Sequence, residues 1–183
     1  MTTSTFDVID LFSKVHGFLS VDEAKLLHKL ATEVPAGGTI IEVGSYQGRS
    51  TICLGAGAKQ VGALVYAIDP FEGSMENHAA LLMNLVLNDV ADTVKVVALH
   101  STAVLDCWYG TVDLVWIDGS HDYNDVWLDL MGWEKHVSPI GRLALHDTNG
   151  HYPGVTRALT EFLMDNEWKI SQRVDATTVL VRG

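Results

Sequence analysis

The chain has 183 residues, 48% of them hydrophobic and 19% charged, which suits one domain with a sizeable core and excludes a disordered chain. Twelve Lys and Arg against 23 Asp and Glu leave a net charge of −11. That excess disfavours nucleic-acid and anionic-membrane partners, which need clustered cations, and favours cationic ligands or metal ions.

The two cysteines, Cys53 and Cys107, sit in apolar stretches, so reduced thiols are expected rather than a disulfide framework. Met1 to Asp7 lacks the basic start and apolar run of a signal peptide. Thr51 to Ile68, the most apolar region, is interrupted by Lys59 and Gln60, too broken to span a bilayer. A soluble cytoplasmic protein is expected, with residues 1–37 as a helical cap and residues 38–183 as the core.

A weak helical pattern runs from Asp7 to Val15. Ser20-Val21-Asp22-Glu23 reads as a capping box, and Val21, Ala24, Leu27 and Ala31 then recur at helical spacing until Pro35-Ala36-Gly37-Gly38 ends the pattern. Beyond Gly38, short apolar runs alternate with longer amphipathic ones. The runs Thr39–Val43, Leu64–Ile68, Val94–Leu99, Val112–Ile117 and a stretch around Leu143–Leu145 read as strands buried on both faces. Helices are expected over Gly48–Lys59, Met75–Asp89, Asn124–His136 and Val155–Asn166. Such alternation predicts a doubly wound α/β domain with a mostly parallel sheet. Lys169–Val174 and Thr177–Arg182, split by Asp175-Ala176, read as an antiparallel hairpin.

Ligands of open parallel sheets bind beyond the carboxyl ends of the strands. Polar residues follow each apolar run: Glu42 to Gly48, Asp69, His100-Ser101, Asp118-Gly119-Ser120-His121, and His146-Asp147. Tyr46 stands where a dinucleotide fingerprint wants glycine, and Glu42 would set a carboxylate near two phosphates. Both features favour a ligand with no phosphates and a positive end, as in S-adenosylmethionine. Asp69 is placed to accept hydrogen bonds from its ribose hydroxyls.

Ile41-Glu42-Val43-Gly44-Ser45-Tyr46-Gln47-Gly48-Arg49-Ser50-Thr51, Ile117-Asp118-Gly119-Ser120-His121-Asp122-Tyr123 and Leu145-His146-Asp147-Thr148 together resemble class I S-adenosylmethionine-dependent methyltransferases. The branch of small-molecule and sugar O-methyltransferases is the nearest in pattern. The resemblance covers Leu19 to the C-terminus. It implies a Rossmann-like, seven-stranded sheet with an antiparallel last strand. By it, Gly44, Ser45, Tyr46 and Gly48 line the methionine part of the cofactor, with Glu42 near the amine. Ser50 and Thr51 add hydrogen bonds, Asp69 holds the ribose, Ser101 sits beside the adenine, and Asp118 reaches the cofactor.

Asp118 and Asp147 end neighbouring strands, and a divalent cation would relieve their repulsion. A cation there would bind and acidify a substrate hydroxyl. The alternative is a hydrogen-bonded carboxylate pair without metal. His146, next to Asp147, departs from the all-acidic pattern of similar enzymes, so a site of Asp118, His146 and Asp147 leaves both magnesium and manganese open. The resemblance makes His121 the general base, with Asp118 beside it in catalysis; a loop histidine capping the next helix is the other reading. His151 and Tyr152 are candidates for the acceptor pocket, Arg49 for the cofactor carboxylate, and the N-terminal helices for a lid. Trp116, Trp127 and Trp133 are expected in the core.

The function expected is methyl transfer to the hydroxyl of a small molecule. A metal-dependent hydrolase or oxygenase using Asp118, His121 and His146 is the first alternative, and a non-catalytic binding domain the second. Oligomeric state is left open, with a homo-oligomer allowed.

Overall fold

The computed structural model describes residues 10, 12–165 and 167–183. The element order is α1 (Val21–Thr32), β1 (Thr39–Val43), α2 (Arg49–Val61), β2 (Leu64–Ile68), α3 (Met75–Leu87), β3 (Val94–Val97), α4 (Ser101–Leu105), β4 (Val112–Ile117), α5 (Tyr123–Trp133), β5 (Val137–Leu145), α6 (Pro153–Asp165), β6 (Trp168–Val174) and β7 (Thr177–Arg182). Of the weak helix expected from Asp7 to Val15, residues 7–9 and 11 lie outside the described residues, as does Asn166.

The seven strands form one sheet in the order β3-β2-β1-β4-β5-β7-β6. β1 to β5 pair in parallel, while β7 runs antiparallel to both β5 and β6. Reversal of the order at β1 and β4 makes the switch point at which such sheets bind ligands.

Uniform apolarity along the strands has a direct cause: neighbouring residues point to opposite faces, and both faces are covered. On β4, Leu114 and Trp116 enter the layer beneath α1, α2 and α3, while Val115 and Ile117 enter the one beneath α5 and α6. α1 and α2 approach closely through Gly57, where a Cβ would lie 2.5 Å from the His28 carbonyl oxygen.

Two elements differ from the sequence expectation. β5 starts at Val137, before Ser138-Pro139, because it also pairs with the start of β4 through Val112. The polar sequence Ser138-Pro139 hides this strand from any reading of apolar runs. Ser101–Leu105 forms the short helix α4, too brief to display a helical period.

The capping box is present, with Glu23 N on Ser20 Oγ at 3.2 Å and Ser20 N on Glu23 Oε2 at 3.0 Å. Glu23 Oε1 also accepts from Ala176 N at 3.0 Å and Thr177 Oγ1 at 2.9 Å. The buried carboxylate thus ties α1 to the β6–β7 turn. No helix among the described residues is long and apolar enough to cross a membrane.

Candidate functional site

The loop after β1 is shaped by Asp69 at the end of β2. Asp69 Oδ2 accepts from Ser45 N at 3.0 Å and Tyr46 N at 2.8 Å, and Oδ1 accepts from Phe71 N at 2.8 Å. These bonds help hold Tyr46 at φ +46°, a region that a bulky residue enters at a cost of about 1–3 kcal/mol. Gly44 lies at φ +87°, and a Cβ there would meet the Asp118 carbonyl oxygen at 2.2 Å. Only glycine lets the first and fourth strand ends approach this closely. From α3, Asn84 Nδ2 donates to Gln47 O at 2.8 Å, bracing the same loop. Gly48 caps α2 at φ +93°.

Glu42 is fully buried under this loop. Ser50 Oγ and Thr51 Oγ1 donate to its two oxygens, each at 2.6 Å. Burial pushes its carboxyl up to about 7, with the two hydroxyls opposing that rise. The Ser50 and Thr51 hydroxyls are thus engaged with Glu42; Glu42 and Thr51 line neither cavity described below, while Ser50 lines the smaller one. Burial at the second-to-last strand position places Glu42 one layer beneath the rim, which strand-end counting does not register. Ser45 Oγ lies close enough to Glu42 to help hold its charge but makes no full hydrogen bond.

Two cavities open at the carboxyl ends of the strands. The larger, about 480 Å³, is lined by Tyr46, Asp69, Ser101, Asp118, Asp125 and Asp129 among others. The smaller, about 290 Å³, is lined by the segment His16–Leu19 and by Ser45, Arg49, His121, His146, Asp147 and Tyr152 among others. Gly44, Tyr46, Asp118 and Gly119 belong to both, so the cavities meet at the β1 and β4 ends. A volume of this size accommodates a nucleoside-sized ligand, and the carboxylates around it suit a cationic one.

At the junction stands a cluster of carboxylates and imidazoles. His146 Nδ1 is 3.1 Å from Asp118 Oδ1 and 3.3 Å from Asp147 Oδ2, while Nε2 faces Glu23 Oε1 at 3.2 Å but off the line of a good hydrogen bond. Burial favours the neutral imidazole, yet the three carboxylates outweigh it and push His146 up to about 12. Burial likewise opposes ionisation of Glu23, but His146 and the Ser20 and Thr177 donors bring it down to about 2. Burial raises the Asp118 carboxyl against the pull of His146, whereas Asp147, also opposed by burial, is lowered by His146 and His121. Asp147 sits at φ +58°. Its Oδ2 also meets His121 Nε2 at 2.8 Å, and the His121 ring stacks on Tyr152 with centroids 3.8 Å apart.

Asp118, His146 and Asp147 each offer a ligand atom within 4.8 Å of the others, so the donor set fits one metal ion. In that arrangement the neutral His146 would present Nδ1 to the ion, with Nε2 turned to the Glu23 side. Oxygen and imidazole donors together admit magnesium or manganese. Sequence reading took Glu23 only as a helix cap; its approach to His146 spans much of the chain, with no spacing signal to reveal it.

Arg49 is not free at the helix start. Its Nη1 donates to Val15 O at 3.1 Å and Gly17 O at 3.0 Å, clasping the segment that walls the smaller cavity. Ser101 Oγ accepts from Trp133 Nε1 at 2.8 Å and lines the larger cavity. Trp116 and Trp133 are fully buried and Trp127 packs against the core. Tyr152 lines the smaller cavity; His151 is exposed and lines neither of the two.

A mostly parallel seven-stranded sheet with an antiparallel β7 and a cleft at its switch point is the Rossmann-like fold of methyltransferases. Within that class, a family model described as a methyltransferase domain matches residues 41–148, and the chain belongs to this family. Similar solved structures include cofactor-bound Rv0187 from MTB, with 19% identity, a TM-score of 0.77, and coverage of 97% of this chain and 87% of that one. SAH-bound PaMTH1, a methyltransferase of Podospora anserina, has 14% identity, a TM-score of 0.77 and coverage of 98% and 87%. The O-methyltransferase TomG of Streptomyces achromogenes, solved in complex with SAM, has 20% identity, a TM-score of 0.72 and coverage of 91% and 82%.

Proposed function

We propose that this protein transfers a methyl group from S-adenosylmethionine to a hydroxyl of a sugar or natural-product-like small molecule, with a divalent cation at Asp118, His146 and Asp147. The observation that carries the reading is the meeting of two cavities at Gly44, Tyr46, Asp118 and Gly119. One cavity is acidic and sized for the nucleoside; the other holds a histidine positioned to take a proton. The ligands bound to similar proteins, SAH in PaMTH1 and SAM in TomG, support the choice of cofactor.

S-adenosylmethionine, when bound, supplies an electrophilic methyl group on sulfur. The chain's own part is to align the acceptor oxygen and remove its proton, which together account for most of such a rate enhancement. Asp147 accepts from His121 Nε2 and so leaves Nδ1 to take the hydroxyl proton, in the manner of other carboxylate-oriented imidazoles. Tyr152, stacked on the ring, limits its rotation. Asp69 fixes the loop over the larger cavity through backbone bonds and keeps one acceptor position, on Oδ1, for a ribose hydroxyl, while Ser101 serves the base. A bound cation would supply Lewis acidity at the acceptor oxygen.

A second reading follows from the position of His146 between carboxylates: its imidazolium can itself neutralise Asp118 and Asp147. Proton and cation then compete for Nδ1, so cation affinity rises with pH. The net charge of −11 supports a small-molecule acceptor over nucleic acid or membrane, and a cytoplasmic setting belongs to the same proposal.

Calorimetric titration with S-adenosylmethionine and S-adenosylhomocysteine, with NAD as control, tests the cofactor. Binding of the first two alone is expected; binding of NAD alone, or of none, overturns the reading. Transfer of labelled methyl to a panel of hydroxylated small molecules, with and without EDTA followed by manganese, then separates the two accounts of His146.

A further inference from the structure

The amphipathic order of α3 is reversed. Its polar residues turn inward: Asn77 Oδ1 accepts from Gln47 Nε2 at 2.9 Å, Asn84 Nδ2 donates to Gln47 O at 2.8 Å, and the His78 ring stacks on Phe71 with centroids 4.6 Å apart. Leu81 and Leu85 are buried on the same side. Met75, Ala79, Leu82, Met83, Val86 and Leu87 turn outward, with Glu76 the one charged residue among them. Met75 is 90% exposed, and Leu82, Met83, Val86 and Leu87 lie between 47% and 69%. A surface helix of a lone domain shows the opposite pattern, with its apolar stripe on the core.

These side chains leave on the order of 600 Å² in solvent, at the top of the ~300–600 Å² range for the largest patch on a monomer and near the roughly 800 Å² that each partner of a stable pair covers. Two chains of net charge −11 repel over most of their surface and approach at least cost through a face with a single charge. A cationic protein would be met better by the acidic remainder of the surface than by this face. The face also complements itself. Glu76 stands at its start, and Lys59, on α2, pairs with Asp89 at 2.8 Å just past its end. Antiparallel pairing of two α3 helices about a two-fold axis at Leu82 and Met83 brings Glu76 of one copy to the Lys59 end of the other and sets the helix dipoles in opposition. We propose that a second copy of this chain docks on the outward face of α3, giving a two-fold homodimer centred on Leu82 and Met83. The interface is independent of the methyl-transfer reading.

Sedimentation velocity of the full chain between about 1 and about 100 µM is expected to show a monomer–dimer equilibrium with a dissociation constant of about 10 µM or lower, the weak end for an interface of this size. Met83→Glu sets like charges across the axis and is expected to raise that constant by at least ~10-fold, with the circular dichroism spectrum unchanged because the position is exposed. Met83→Lys alone is expected to do the same. An equimolar mixture of the two variants is expected to recover the dimer, because at a two-fold axis each residue meets its own counterpart. A natural chain that stays monomeric overturns the proposal, and cosedimentation of that monomer with phosphatidylcholine vesicles would assign the face to lipid instead. A dimer that Met83→Glu leaves intact overturns it as well, as does a mixture of the two variants that fails to pair.

Discussion

The two cavities are built differently. The larger is walled chiefly by strand ends and the turns just beyond them, locked to one another: Asp69 holds the backbone of Ser45 and Tyr46, and Gly44 touches the Asp118 carbonyl. The smaller draws on the segment His16–Leu19 and on His121 and Tyr152, side chains that keep much of their surface in solvent; Phe18 is 86% exposed. Under the proposed function, the locked half would take the cofactor and the more exposed half the acceptor. Asp118, in the shared wall, belongs to neither half alone.

That contrast can be broken by experiment. The largest effect is expected from His121→Ala, which acts on the acceptor half: turnover falls about 10²–10⁴-fold while calorimetric affinity for S-adenosylhomocysteine stays unchanged. A matching loss of cofactor affinity would mean that the halves are not separable.

Glu42 tests the rigidity of the fixed half. Its carboxyl is raised from 4.5 to about 7, so its contribution to stability is present below about pH 4.5 and is lost as pH rises through about 7. Glu42→Gln removes the ionisation. The variant is expected to be more stable than the natural chain above pH 7 by up to about 3 kcal/mol, with the gap closing toward pH 5. Denaturant melts across that range that stay parallel for the two chains would show that Glu42 ionises without penalty.

Asp69→Ala is expected to weaken S-adenosylmethionine binding by about 1–3 kcal/mol, since it removes the proposed ribose acceptor and frees three backbone donors, Ser45 N, Tyr46 N and Phe71 N. Unchanged calorimetric affinity would leave Asp69 a purely structural residue. The smallest effect belongs to Phe18→Ala. At an exposed position it should move stability by no more than about 0.5 kcal/mol, leave the cofactor alone, and raise the acceptor KM a fewfold; an equal change in cofactor affinity would place Phe18 in the wrong half.

Much of the first half was legible in the amino-acid order. Ile40 and Ile41, or Val115 and Trp116, face opposite layers, so both-sided burial writes itself as an apolar run, and the polar residue ending each run marks the rim. Glu42 shows where that rule fails: it sits inside its run, two residues before Gly44, and the fold buries it under Ser50 and Thr51 instead of presenting it to the cleft. β5 was read too short because Ser138-Pro139 interrupts its pattern, although pairing at Val112 extends it.

Sequence by itself determined the alternation of strands and helices, the capping box at Ser20, the terminal hairpin and the positions where polar groups gather, because each depends on periodicity or on neighbours a few residues apart. Tertiary structure alone decided the partners of the charges: Glu23 beside His146, His121 on Asp147, Arg49 across Val15 and Gly17. These pairings join segments far apart in the chain. Their strength comes from distance and burial, quantities that exist only once the sheet order has set which strand ends stand side by side.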